Sequence, residues 1–171
     1  IELEGKSRFF GELHSVYGDK IVLFNFSKDT AKAVVQYQFY RWVCAIAFPE
    51  LKIIWVNGAN LQAPEVVSLS LPTAEEAGKN LLLAINEYRN GQTEILPFYP
   101  KASRRYYEQS AKNKGFARFC KILNDDEYDA YINLLLTREG DCNDFFKLYS
   151  AEEKQGNRMF DLANLFYGES K

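Results

Sequence analysis

Three short runs near the start of the chain hold side chains of the kinds used in hydrolytic chemistry: Gly11-Glu12-Leu13-His14, Leu23-Phe24-Asn25-Phe26-Ser27 and Gln36-Tyr37-Gln38-Phe39-Tyr40. A carboxylate and an imidazole two residues apart on a strand, as Glu12 and His14 would be, share one face and can share a metal ion. Metal-assisted hydrolysis needs carboxylate oxygens to hold Mg²⁺ and a cation to steady the attacking hydroxide or the transition-state charge. Asn25 and Ser27, also two apart, supply neither. Glu12 with His14 is a single pair with no third ligand close by, and such a pair is more often a polar patch than a metal site. An active arrangement would have to recruit Glu12, His14 and Asp29, which with Lys28 lies just past Ser27.

The elements that must position these residues are legible in the hydrophobic pattern. Ser7 to Val16 and Lys20 to Phe26 are rich in Phe, Leu, Val and Ile around a turn-like Tyr17-Gly18-Asp19, which predicts a β-hairpin. Ala31, Val34, Val35, Gln38 and Trp42 recur at helical spacing, so a helix is expected from about Thr30 to Phe48, stopped by Pro49. Gln36 and Tyr40 are four apart and share a face of it. Leu51 to Val56 and Pro64 to Leu71 read as further strands. Thr73-Ala74-Glu75-Glu76 is a capping box that opens a helix ended by Asn90-Gly91. Strands flanked by helices make an α/β sandwich.

The order of hairpin, short loop and helix bearing Gln-x-x-x-Tyr resembles the core of the PD-(D/E)xK nucleases, the exonuclease branch above all. In that family an acidic residue follows Gly-x-x on the first strand, where this chain has His14. The second strand carries an acidic residue, one intervening residue and a lysine, where this chain has Asn25 and Ser27. Further along, the runs Leu81 to Gly91 and Leu96-Pro97-Phe98-Tyr99-Pro100-Lys101-Ala102-Ser103 resemble the C-terminal region of the RecC family, the gamma subunits of bacterial exodeoxyribonuclease V. So do Leu3-x-Gly5, the Trp42 helix, and Gly156 to Asp161 leading to Leu165-Phe166-Tyr167. The resemblance spans nearly the whole chain, through order and spacing more than through any one motif.

The resemblance implies a restriction-endonuclease-like three-layer α/β sandwich with a mixed central sheet and a helical C-terminal part. It also implies a nuclease fold without nuclease chemistry: no catalytic residue, metal or other cofactor, degenerate positions at His14, Asn25 and Ser27, and a motif helix kept at Gln36 and Tyr40 because it packs the sheet. Such a domain would handle single- or double-stranded DNA and dock RecB-like and RecD-like sister subunits in a bacterial, cytoplasmic helicase and exonuclease complex for double-strand-break repair and recombination. An active metal-dependent exonuclease and a protein-only interaction module are the alternatives.

With 171 residues, 47% of them hydrophobic, the chain can bury a core without disulfides. One domain is expected, with an α/β core over about 1–100 and a helical extension over about 101–171. Tyr106, Phe116, Phe119, Tyr128, Tyr131, Phe145, Phe146, Phe160 and Phe166 are its expected core, and the polar 150–157 stretch its expected mobile connection. Cys44, Cys120 and Cys142 are odd in number and far apart, which points to reduced thiols. No apolar run of membrane-spanning length and no Walker-type loop is present. A start at Ile1 without Met or signal peptide is expected of a piece of a longer cytosolic protein.

A net charge of −2 argues against a uniformly nucleic-acid-coating surface, so local charge decides. Between Lys101 and Lys121, the cations Lys101, Arg104, Arg105, Lys112, Lys114, Arg118 and Lys121 meet only Glu108, with Tyr106 and Tyr107 interleaved. Phosphates would be neutralised by such a cluster, and exposed Tyr or Arg planes would stack on unpaired bases. A solvated, solubilising helix face is the competing account, and Asp125, Asp126, Glu127 and Asp129 just downstream would offset part of the charge.

Overall fold

A computed structural model describes residues 1–3, 7–8, 10–60, 62–93, 96–112, 114–124 and 158–168. The chain divides into two compact units, Ile1–Leu96 and Pro97–Lys171.

In the first unit, strands β1 (Glu2–Leu3) and β2 (Ser7–Arg8) form a small antiparallel pair. A separate mixed sheet has the order β3 (Val16–Tyr17), β4 (Lys20–Asn25), β5 (Lys52–Asn57), β6 (Glu65–Leu69). β3 turns into β4 through Gly18-Asp19, where Gly18 takes the φ of +61° that a two-residue hairpin demands. Lys52 ties that turn to the start of β5, its backbone N–H donating to the Asp19 carbonyl at 2.9 Å and its ammonium to the Asp19 carboxylate at 3.2 Å. Helix α1 (Ala31–Ala47) carries the chain from β4 to β5, which lies parallel to it, as a crossover of that length allows. β6 returns antiparallel.

Period-2 alternation gives the sheet one buried face. Ile21 opposes Ile53, Leu23 opposes Trp55 and Asn25 opposes Asn57, and all but Asn57 are buried. α1 covers this face: Tyr37 meets Trp55 edge-on at 5.0 Å between ring centroids. Arg41 of α1 is buried but satisfied, donating from Nε to the Ser70 carbonyl at 2.7 Å and from Nη1 to Gln38 Oε1 at 2.8 Å. α2 (Ala74–Asn90) packs on α1 through Ala77, Leu81 and Ala84. Its capping box is complete: Thr73 Oγ1 accepts from the Glu76 N–H at 3.2 Å, and Glu76 Oε2 accepts from the Thr73 N–H at 3.0 Å. The opposite sheet face leaves Phe24 and Val66 more than half exposed, with Phe26 stacked on Phe24 at 6.2 Å.

Most element expectations for this unit hold to within two residues, and the first strand does not. Of the expected Ser7–Val16 strand only Val16 pairs with β4, joined there by Tyr17 from the expected turn, while Ser7–Arg8 pairs with β1. Ser15 explains the break. Its carbonyl still accepts from the Val22 N–H at 3.0 Å, but its φ of +60° then turns the preceding residues out of the ladder. Phe10 to His14 therefore form no strand.

The second unit is helical in its described residues: α3 (Pro100–Ser110), α4 (Gly115–Asn124) and α5 (Arg158–Tyr167). Pro100 opens α3 at a position where no N–H is needed, and Ser103 Oγ accepts from the Tyr99 N–H at 3.0 Å. α3 and α4 approach so closely at Gly115 that a Cβ there would sit 2.7 Å from the Tyr106 carbonyl oxygen. Tyr106, Phe119, Leu123, Met159, Leu162 and Phe166 are buried, and the Tyr167 hydroxyl donates to the Pro100 carbonyl at 2.8 Å. Phe116 and Phe160 are half-buried; Tyr128, Tyr131, Phe145, Phe146, Cys142 and the 150–157 stretch lie outside the described residues.

Cys44 and Cys120 are free and buried. Burial pushes the Cys44 thiol up to about 11, and the charge of Glu50 adds to the shift.

Candidate functional site

The residues weighed as a metal site do not converge. Glu12 and His14, expected on one strand face, sit exposed in the irregular segment before Ser15. Glu12 lines a hollow of about 730 Å³ against Phe39, Val43 and Phe48 of the α1 region. His14 lines a different, smaller cleft. Asp29 is engaged elsewhere: its Oδ1 accepts from the Ala31 N–H at 3.0 Å, capping the first turn of α1 where a negative charge also suits the helix dipole.

Asn25 and Ser27 are the residues that the resemblance sets against a nuclease pair, but only Asn25 is on the strand. β4 ends there because the Asn25 amide replaces the ladder with a local ring. Its Nδ2 donates to the Ser27 carbonyl at 2.7 Å, and its Oδ1 accepts from the Ser27 N–H at 3.2 Å. The same Nδ2 reaches Asn57 Oδ1 at 3.2 Å, joining the ends of the two parallel strands. Ser27, exposed beyond the strand, accepts through Oγ from the Asp29 N–H at 3.2 Å. These side chains shape a loop. Among the described residues no three His, Cys, Asp or Glu side chains gather as a metal site would require, so these residues do not fit a nuclease metal ion.

What the fold does gather is His14, Gln36 and Tyr40. They line a cleft of about 290 Å³ between α1 and the outer edge of β4, with Tyr37 and Trp55 as its floor. Gln36, Tyr37 and Tyr40 reach it together because positions i, i+1 and i+4 fall within one sector of a helix. β4 is open on that side because β3 covers only Val16–Tyr17, the residues before it being turned away at Ser15. Successive residues of a strand point their peptide groups to opposite edges, so Phe24, two beyond Val22, directs its N–H and C=O toward the cleft side. Tyr37 and Trp55 were absent from the sequence-derived site. Their adjacency depends on the parallel register of β4 and β5, which no local spacing reveals.

In the second unit, Lys101, Arg104, Arg105 and Glu108 fall at i, i+3, i+4 and i+7 and share one face of α3. Glu108 holds both arginines, Arg104 Nε at 3.1 Å and Arg105 Nη1 at 2.6 Å. Lys112 and Lys114 project from the turn between α3 and α4, and Arg118 and Lys121 lie three apart on α4. All seven cations are exposed except Arg104, which is half-buried. The helical hairpin therefore carries a run of cations against a single carboxylate. The interleaved tyrosines do not serve it as stacking planes: Tyr106 is fully buried against Phe119, and Tyr107 packs on Phe160 at 5.9 Å.

Among the described residues no helix is long and apolar enough to cross a membrane. No family model, curated protein or solved structure matches this chain.

Proposed function

We propose that this chain is a nuclease-fold domain that handles DNA without cutting it, as the resemblance to the RecC family implies. The observation that carries the reading is the α3–α4 hairpin, where Lys101, Arg105, Lys112, Lys114, Arg118 and Lys121 stand exposed in a chain of net charge −2. Cations on two adjoining helices present several charges to a phosphate backbone at once, and released counterions supply the binding free energy. The route of hairpin, β4, α1 and parallel β5 supports the finer assignment to a restriction-endonuclease-like three-layer sandwich. The local hydrogen bonds of Asn25, Ser27 and Asp29 support a site without chemistry. The exposed apolar face around Phe24 and Val66 supports docking to sister subunits of a helicase and nuclease complex.

Titrating the protein with a fluorescent forked DNA at two salt concentrations with Mg²⁺ present, and running the same samples on a gel, tests this. Binding that weakens with salt while the DNA stays intact is expected. Lys112→Ala and Lys114→Ala should each flatten the salt dependence by about one phosphate. Cleavage would overturn the reading, and binding indifferent to salt, or none, would leave protein docking as the function.

A further inference from the structure

We infer that the cleft between α1 and the open edge of β4 is a pocket for a single unpaired nucleobase, with adenine its best fit. At about 290 Å³ it lies at the small end of ligand sites, which run from roughly 300 to 1,000 Å³, and is sized for one flat ring system rather than a stretch of strand. Tyr37 and Trp55 form its inner wall, fixed by their own edge-on contact at 5.0 Å and buried but for their edges, so they bound a slot for a flat ring rather than offer it a stacking face. Its polar groups are of the kind a base edge uses. The Gln36 amide offers a donor and an acceptor side by side, the pair that matches the adenine amino group and ring nitrogen. The Phe24 peptide offers a second donor and acceptor at the β4 edge, which takes no backbone partner among the described residues. Tyr40 and exposed His14 border the opening. Among the described residues no carboxylate lines the cleft.

The inference rests on the DNA-handling reading for its biological ligand, and the test separates the two. Deoxyadenosine has no phosphate, so it reports the cleft and is blind to the cationic hairpin. In saturation-transfer NMR with the full chain, the adenine H2 and H8 protons should receive saturation while deoxyribose alone receives none, and Gln36→Ala, an exposed substitution on α1, should remove the effect. In parallel, an oligonucleotide with abasic sites should bind roughly ten-fold more weakly than its base-bearing counterpart, a gap that closes in Gln36→Ala. Equal saturation in the wild type and Gln36→Ala, or none in either, would overturn the pocket. Deoxyadenosine binding with no salt-dependent DNA binding would keep the pocket and sink the DNA-handling role of α3–α4.

Discussion

Introducing a carboxylate at position 25 is the direct way to ask whether this strand end could hold the metal ion that the nuclease resemblance would place there. Asn25 donates from one amide nitrogen to two oxygens, the Ser27 carbonyl and Asn57 Oδ1, and is 8% exposed. An aspartate would face both acceptors without a proton to give. Asn25→Asp should therefore destabilise the fold by about 1–3 kcal/mol in urea unfolding at neutral pH, and produce no Mg²⁺-dependent cleavage on a gel. The lack of charge at 25 and 27 was legible in the sequence. The use made of Asn25 was not, because its partner Asn57 is 32 positions away and becomes a neighbour only through the parallel register. The same register conceals Trp55 from any local reading of the Gln36 and Tyr40 face.

Elements with a local cause were the easiest to read. The capping box at Thr73 needs only four consecutive residues, and α2 begins where they place it. Thr73→Ala should cost about 1 kcal/mol at neutral pH, measured by thermal or urea unfolding. Hydrogen bonds from the Thr73 hydroxyl and backbone N–H hold the Glu76 carboxyl below its ordinary value of 4.5. A depressed folded-state value means that this stabilisation is complete above the ordinary range and is lost as pH falls through the folded value. The gap between wild type and Thr73→Ala should accordingly narrow on acidification below about pH 4.5; a constant gap would mean that Glu76 takes no part in the cap. The expected Ser7–Val16 strand failed for the opposite reason. Its apolar residues fit a strand, but a serine held at φ +60° ends the ladder, and that conformation leaves no mark in composition.

At the scale of the whole chain, the net charge of −2 hides an uneven distribution, which was legible because the cations are consecutive enough to count. The pairing of Glu108 was less so, since either arginine alone would have satisfied it. Glu108→Gln removes the carboxylate that both Arg104 and Arg105 reach. Forked-DNA affinity should rise and its salt dependence should steepen by about one phosphate; a variant that binds no better would mean that Glu108 orients the two guanidiniums rather than competing with the DNA. The apolar sheet face has a colloidal consequence of its own. Near the isoelectric point of about 5.6, long-range repulsion between copies vanishes while Phe24, Phe26 and Val66 still face solvent. Light scattering should show attraction between molecules growing as pH approaches that value, and Phe24→Lys should suppress it.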